Sequence, residues 1–529
     1  MIVRASHLLR HPAFLLAAIA FLAAFVVQSG ELGSSDTTHR LRATHSFWTH
    51  EPAVSPDEYP EFGIHGRGGT LYGWYGLGQS VLMLPSDVLG TYIERVPLFA
   101  EYQGTDPTVR DIIVSFSTSI LLCVLTCLVC FRLLGLLEFS MNQRIAGVLA
   151  LLFGTTFLHY TQNMMENNYI ALLTLSGLAF QYEWLRTGKR WALVVGSAAL
   201  GANLVTRLTT GMDLLAVCFF LLLTAWLTNI RGQELRSRLL AYGKIAFPSY
   251  LFFFLVDRAY QYARFGSFFN TYVQLFGEEW KRLNPSLPAA FPFETPFRVG
   301  FVGALFTPEK SIFLFDPLLL LAVILAALAW RRFRPEIRAY FIAFGALLLA
   351  YVSFYATYTD WSGDTAWGDR YVATSAQFVA LIAVPLLLRH RAEIGRAVWS
   401  AGLAIVFLSV TIQIASIMFW CPLERYQMET LAGPTFVVWL RCKNIVAFAL
   451  GKMSAWGLTN DAMKRDEWDY EHITTLNFLP FLLKRVGEAP AWVVEMLTAL
   501  WLFALTALVA LTGFMARLVT KDAFDPPDR

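Results

Sequence analysis

Charge is scarce in this sequence. Only 15% of its 529 residues are Asp, Glu, Lys or Arg, while 56% are hydrophobic and the mean hydropathy is +0.49. A soluble globular chain carries roughly a quarter charged residues, so the shortage excludes that class and leaves a polytopic membrane protein. The net charge of +3 is too small to argue for a nucleic-acid partner. There is no internal repeat, no low-complexity segment and no Asn-x-Ser/Thr sequon free of proline. Cysteine is sparse as well. Cys123, Cys127 and Cys130 fall at i, i+4 and i+7 on one apolar helix face with no histidine or carboxylate beside them, so they read as packing residues rather than metal ligands. Cys421 and Cys442 share the last long outer loop, where an oxidising compartment would permit a disulfide. At the amino terminus Arg4 and Arg10 precede an apolar run from Pro12 to about Gln28 that lacks a small-x-small cleavage site, which predicts a retained first span.

What is present is hydrocarbon-spanning sequence. Apolar stretches of adequate length occur near 12–29, 111–135, 144–161, 168–185, 191–210, 213–229, 245–262, 311–330, 339–358, 370–388, 398–420 and 491–516. They predict an all-α polytopic membrane protein of about twelve transmembrane helices. One set of connections is arginine-rich: Arg144; Arg186, Lys189 and Arg190; Arg231 to Lys244; Arg331 to Arg338; Arg389 to Arg396; and, at the two ends, Arg4, Arg10, Arg517 and Lys521. Short arginine-rich loops mark the cytoplasmic side, which places both termini there.

The other connections are of a different kind. Residues 30–110, 263–310, 359–369 and 421–490 are rich in aromatics, glycine and carboxylates and are expected to face outward. Trp48, Trp74, Trp280, Trp361 and Trp367 fit interfacial anchoring. The segments Ser80 to about Arg95 and Thr474–Val486 are apolar but too short to span, so they are expected to lie along the interface. The tail Phe524-Asp525-Pro526-Pro527 reads as disordered.

Several outer-side stretches, taken in order, resemble the GT-C superfamily, the integral-membrane glycosyltransferases that use polyprenyl-phosphate sugars, such as bacterial protein O-mannosyltransferases and lipid A aminoarabinose transferases. Asp36 stands in the first outer loop just after the first span, where that superfamily carries an acidic residue. Gly69-Thr70-Leu71-Tyr72-Gly73-Trp74-Tyr75-Gly76-Leu77-Gly78-Gln79-Ser80 with Leu84-Pro85 resembles its glycine-rich approach to an interfacial helix. Thr206-Arg207-Leu208-Thr209, Arg264-Phe265-Gly266-Ser267, Leu305-Phe306-Thr307-Pro308-Glu309-Lys310 with Phe315-Asp316-Pro317, and Trp361-Ser362-Gly363 with Gly368-Asp369-Arg370-Tyr371 follow. The resemblance covers about residues 10–390, which defines a GT-C-like module at 1–390, its first outer loop at about 30–110, and C-terminal spans at 391–529 whose outer loop, 421–490, is expected to help choose the acceptor. Two departures stand out. Asp36 is flanked by Ser35 and Thr37 where many relatives have two adjacent acids, and Asp369 stands where proline is common. Fewer carboxylates are then available to hold a divalent metal such as Mg or Mn, whose involvement stays open.

The resemblance implies transfer of a sugar from a polyprenyl-phosphate donor to a periplasmic lipid, glycan or protein acceptor, with inversion. Such a reaction needs a base for the acceptor hydroxyl and fixed cations for the leaving phosphate. Asp36 suits the first task because it lies a few residues beyond a span end, near the donor headgroup. Glu166, in the short outer turn Gln162-Asn163-Met164-Met165-Glu166-Asn167-Asn168, is the second candidate acid. His159, one turn earlier, reads more simply as a packed or capped histidine. Arg207, Arg264, Lys310 and Arg370 lie at outer span ends and are the candidate phosphate ligands, with snorkelling toward headgroups as the plain alternative. His39, Arg40, Arg42, His45 and His65 add polarity near Asp36 without individual roles. Asp257 and Arg258 are adjacent on an expected span, so each is expected to need its own partner elsewhere. The competing class is a glycolipid transporter or flippase. Its paired repeats and midplane sites do not match polar residues concentrated on one face without two-half symmetry. The expected setting is a bacterial inner membrane, with membrane lipids around the spans and the active side periplasmic.

Overall fold

One long span, Val109–Leu136, packs against the helices that carry the first loop and the turn after it. The computed structural model describes residues 11–102, 107–428, 435–453, 474–485 and 489–524. Arg4, Arg10, the Asp525–Pro527 tail and residues 454–473 lie outside them. Among the described residues the fold is all-α apart from a two-residue antiparallel hairpin, Ile64–His65 with Leu71–Tyr72. Pro12 opens the first helix, Pro12–Val27, where its missing amide costs nothing. This helix buries Leu16, Ile19, Ala20 and Ala23 and packs on Val109–Leu136 and on the last helix, Ala491–Phe524. A capping box of Thr108 with Asp111 starts Val109–Leu136.

Six helices of the described residues are long and apolar enough to cross a membrane: Val109–Leu136, Leu208–Leu227, Gly232–Phe265, Pro335–Tyr355, Gly395–Ser416 and Ala491–Thr520. This overturns the expectation of about twelve spans. Pro12–Val27 and Arg190–Leu204 are too short, at 16 and 15 residues. Asn167–Thr187 has the length but buries Asn167, Asn168, Gln181 and Glu183. The remaining apolar runs are broken. The run near 144–161 splits at Thr155 into Met141–Gly154 and Phe157–Gln162, that near 311–330 splits at Asp316-Pro317, and that near 370–388 splits at Ile382. Two of the breaks share a cause. Thr156 donates its amide and hydroxyl to the Asp316 carboxylate at 2.7 and 2.8 Å, and Gln377 donates to the Thr156 hydroxyl at 3.0 Å. One buried polar knot thus interrupts two apolar segments, which average hydropathy does not register, while in the third Pro385 has no amide for the Leu381 carbonyl and the helix Ala373–Leu381 ends there.

Val109–Leu136 separates two ends of the molecule by about 40 Å, at 1.5 Å per residue over its 28 residues. At one end Glu138 pairs with Arg186 and Arg334, and its carbonyl accepts from Arg389. Three of the arginine-rich connections therefore meet there. The first loop gathers at the opposite end, where Asp111 begins the helix.

The expected interfacial segment is the helix Leu77–Glu94. Its buried face is polar and small apart from Met83 (Gly78, Gln79, Ser80, Asp87, Gly90, Thr91), while Val81, Leu89 and Tyr92 are exposed. That inverted pattern suits an apolar surrounding. Asp87 ties the helix down, accepting from Trp48 Nε1 at 2.8 Å and from Arg110 Nε at 2.6 Å and contacting His45 Nδ1 at 3.1 Å. The segment from Thr474 contains the helix Leu479–Arg485; Val486 is outside the described residues.

Two further expectations are corrected, on Trp367 and on the Asp257–Arg258 pair, and the open question of a disulfide is answered. Trp367 is fully buried rather than interfacial, packed between His159, Phe315 and the Arg441 guanidinium. Cys421 and Cys442 are free thiols, and Cys421 Sγ donates to the Thr365 carbonyl at 3.0 Å. Asp257 and Arg258 pair with each other, Arg258 Nε and Nη2 lying 2.9 and 2.6 Å from Asp257 Oδ2. The arginine stem is long enough to fold back along its own helix despite the diverging Cβ directions.

Candidate functional site

The segment after the first helix is itself helical. Ser34 accepts from the Thr37 amide at 3.3 Å and caps the helix Ser35–Ser46, which places Asp36 in the first turn and Arg40 one turn later on the same face. Gly33 permits the approach: its φ is +77°, and a Cβ there would lie 2.5 Å from the Asn163 backbone. The first loop thereby reaches the turn that carries Glu166. Gly76 does the same on the other side, where a Cβ would lie 2.0 Å from the Thr206 carbonyl oxygen, and the Gly78 amide donates to the Val205 carbonyl at 3.2 Å. Tyr75 and Arg207 are brought together by that contact between backbones.

Asp36 is held by two donors, Arg370 Nη1 at 2.7 Å and the Tyr75 hydroxyl at 2.9 Å. Glu166 precedes the helix Asn167–Thr187 without capping it. Its carboxylate instead pairs with Arg40, at 2.8 Å, and with Arg207. The guanidinium of Arg40 lies 4.5 Å from the centre of the Tyr75 ring, and those of Arg207 and Arg370 lie 5.5 and 5.2 Å from the centre of the Tyr371 ring. Tyr371 in turn stacks on Tyr355 at 4.3 Å. Three arginines from three separate segments thus share two carboxylates against an aromatic wall. Asp36 and Arg370 open onto a cavity of about 500 Å³, which Ser34, Thr38, Asp364 and Cys421 also line.

Burial alone would raise the Asp36 pKa. The charges of Arg370 and Arg40, with hydrogen bonds from Tyr75 and Arg370, more than offset it and hold the carboxyl at about 2. Asp36 is therefore a carboxylate of low basicity for as long as Arg370 faces it. Asp369 accepts from the Tyr371 amide at 3.0 Å, and burial pushes its carboxyl up to about 7.

Four of the residues singled out in the sequence, Asp36, Glu166, Arg207 and Arg370, come together here. Arg264 and Lys310 face backbone carbonyls instead. Arg264 Nη1 donates to the carbonyls of Gly73 and Tyr75, and Lys310 Nζ donates to those of Asp364, Ala366 and Gly368. His159 stacks on Trp367 and meets Asn163 Nδ2 at 3.2 Å. Arg40 and Tyr75 were not given roles from the sequence. The signal for Arg40 was Ser34 as a helix cap with Asp36 and Arg40 four residues apart.

Among the described residues no group of three His, Cys, Asp or Glu side chains converges as a metal ion requires. The two site carboxylates are satisfied by guanidinium groups, a donor set that does not fit Mg or Mn.

The fold and site define a multi-pass α-helical membrane protein with an arginine–carboxylate centre at one end of its helices. Two solved structures of ArnT from Cupriavidus metallidurans are similar to it. The one bound to undecaprenyl phosphate is 13% identical and the apo one 14%; each match covers 95% of this chain and 76% of the other, with a TM-score of 0.43. So loose a likeness transfers no residue's role. No family model and no curated protein sequence matches the chain.

Proposed function

We propose that this protein is an inverting glycosyltransferase that moves a sugar from a polyprenyl-phosphate donor to a hydroxyl acceptor at the periplasmic face of a bacterial inner membrane. The observation that carries the proposal is the convergence of Arg40, Arg207 and Arg370 on the carboxylates of Asp36 and Glu166, with Asp36 and Arg370 opening onto a cavity. The surplus positive charge, on side chains that bind phosphate bidentately, suits a lipid phosphate. The arginine-rich connections gathered around Glu138 at the far end support the periplasmic orientation.

The chemistry follows from the arrangement. The donor phosphate recruits Arg370 and Arg207, and their charge stabilises the leaving phosphate. Recruitment of Arg370 lifts its hold on Asp36, whose carboxylate then takes the proton of the acceptor hydroxyl as that oxygen bonds to the anomeric carbon. The bond from the anomeric carbon to the phosphate oxygen breaks, and its electron pair leaves on the lipid phosphate. Glu166 keeps Arg40 and Arg207 in place. Lipids, glycans and proteins are all acceptors this chemistry admits.

The test is a transfer assay with purified protein, a panel of polyprenyl-phosphate sugars and a lipid extract, comparing wild type with Asp36→Asn. Sugar label entering a product with wild type alone is the expected result. Equal turnover by both proteins overturns the role of Asp36 as base, and substrate counterflow in vesicles with no transfer overturns the proposal.

A further inference from the structure

Lys310 raises a question the proposed function leaves open, because its charge stands close to the site while its donors face elsewhere. It sits in the turn between the helices Phe297–Phe306 and Ile312–Phe315. Its ammonium group donates to the carbonyls of Asp364 at 2.6 Å, Ala366 at 2.8 Å and Gly368 at 3.2 Å. An ammonium has three protons, and all three are engaged. The acceptors are alternate residues of one loop, so the lysine reads a single face of it. Thr365, between them, presents its carbonyl to Cys421 Sγ at 3.0 Å.

That loop has little regular structure of its own to hold its shape. Gly363, Asp364 and Gly368 take positive φ values of 75°, 56° and 70°. For Asp364 this is an unusual conformation, one that persists where surrounding contacts impose it. Gly363, Asp364, Thr365 and Ala366 line the cavity with Arg370, whereas Lys310 does not. Two residues beyond Gly368 the chain places the Arg370 guanidinium against Asp36.

We infer that Lys310 is a positioning residue: it sets the 364–368 loop from behind and so aims Arg370 at Asp36 and at the donor phosphate, without touching that phosphate itself. The inference rests on the proposed function for the identity of the phosphate. A direct ligand and a strut behave differently in a double-mutant cycle, because a strut acts only through the residue it aims.

The experiment measures the Kd of a short-chain polyprenyl monophosphate for detergent-solubilised wild type, Lys310→Met, Arg370→Ala and the double variant. Arg370→Ala is expected to weaken binding by about 10- to 100-fold, as loss of a charge-assisted contact does. Lys310→Met is expected to weaken it by about tenfold, and the double variant to match Arg370→Ala alone. Multiplying losses in the double variant, or an unchanged Kd in Lys310→Met, overturn the inference. A merely destabilised protein would bind fewer equivalents without a change in Kd. If Lys310→Met does not fold, Lys310→Gln, which keeps one donor-bearing group, serves in the same cycle. The second measurement needs no lipid phosphate: the rate at which maleimide labels Cys421 in a Cys218→Ser, Cys442→Ser background, which removes the two partly exposed thiols. Release of the loop in Lys310→Met is expected to raise that rate at least about tenfold, since opening exposes a group in proportion to the open population. Arg370→Ala should leave it near the wild-type rate, and no rise in Lys310→Met overturns the inference. Failure of wild type to bind the lipid phosphate would instead sink the proposed function, and the labelling result would then decide the positioning role.

Discussion

Arg370 Nη1 lies 2.7 Å from Asp36 Oδ2, joining residues 334 positions apart. The same guanidinium is asked to hold a donor phosphate in the proposed reaction, so the Asp36 carboxylate and the phosphate compete for it. Removing the competitor should strengthen donor binding. Asp36→Asn is expected to bind polyprenyl monophosphate several-fold more tightly than wild type, while transfer falls by at least about 10²-fold, the usual contribution of a general base. Titration of the lipid phosphate into both proteins checks this. Weaker binding by Asp36→Asn would show that the carboxylate organises Arg370 rather than competing for it.

The depressed pKa of Asp36 makes a statement about stability. Its carboxyl titrates at about 2 in the folded protein against an ordinary 3.8. A proton therefore binds the unfolded chain more tightly, so the contribution of the ion pair is fully present above about pH 4 and is lost as pH falls through the folded value near 2. Thermal unfolding of wild type and Asp36→Asn in detergent, followed from pH 6 to pH 2, should show a wild-type advantage that closes over the acid end of that range. A gap that stays constant would mean the pair contributes nothing.

Glu166 answers to two arginines at once. Glu166→Gln leaves Arg40 and Arg207 without their shared charge partner in a buried setting, and their mutual repulsion should displace both. The expected outcome is a loss of transfer of at least tenfold together with a weaker donor Kd; hydrogen bonds to charged groups contribute about 1.5–3 kcal/mol each. Wild-type donor affinity in this variant would separate Glu166 from the phosphate site.

The sequence made some of this legible and concealed the rest for definite physical reasons. Asp36, Glu166, Arg207 and Arg370 each stand next to a helix end, and a residue there is placed by the helix packing, so residues read separately meet in space. Arg40 was hidden because 35–46 carries little apolar periodicity; its helix is announced by the Ser34 cap and buries Thr37, His39, Arg40 and His45. The apolar runs outnumber the spans because Thr156 and Asp316 interrupt two of them by hydrogen bonds between distant segments and Pro385 interrupts a third. Charge and position alone point to Lys310 and Arg264 as phosphate ligands. Nothing in the sequence tells that their donors point at backbone carbonyls.

A buried ion pair in the C-terminal region offers a test of stability apart from chemistry. Arg441 is fully buried, faces the Glu424 carboxylate with both Nε and Nη2, and donates through Nη1 to the carbonyls of Ser416 and Phe419. Breaking such a pair from one side leaves an uncompensated charge, at about 3–5 kcal/mol. Glu424→Gln should therefore lower the unfolding midpoint markedly, and Arg441→Met should do so too while also freeing carbonyls that Arg441 now satisfies. Denaturant or thermal melts of both variants measure this; a change within error in either would show that the knot is not a stability element.

Gly76 tests whether the contact between backbones builds the site. A Cβ at this position would fall 2.0 Å from the Thr206 carbonyl oxygen and 2.7 Å from that of Val205, both backbone atoms with nowhere to yield. Gly76→Ala must push Tyr75 and the start of the Leu77–Glu94 helix away from Arg207. Tyr75 donates to Asp36 and lies against Arg40, so the shift reaches both site carboxylates through their partners. Transfer should fall by 10²-fold or more, because a displacement of about 1 Å at a reacting group costs that much. Gly68→Ala is the control within the same loop: nothing lies within 4 Å of its Cβ, although its φ of +68° makes it locally strained. If the two variants lose activity equally, the loop tolerates no added methyl at either position, and the close approach of Gly76 to Thr206 has no special part in assembling the site.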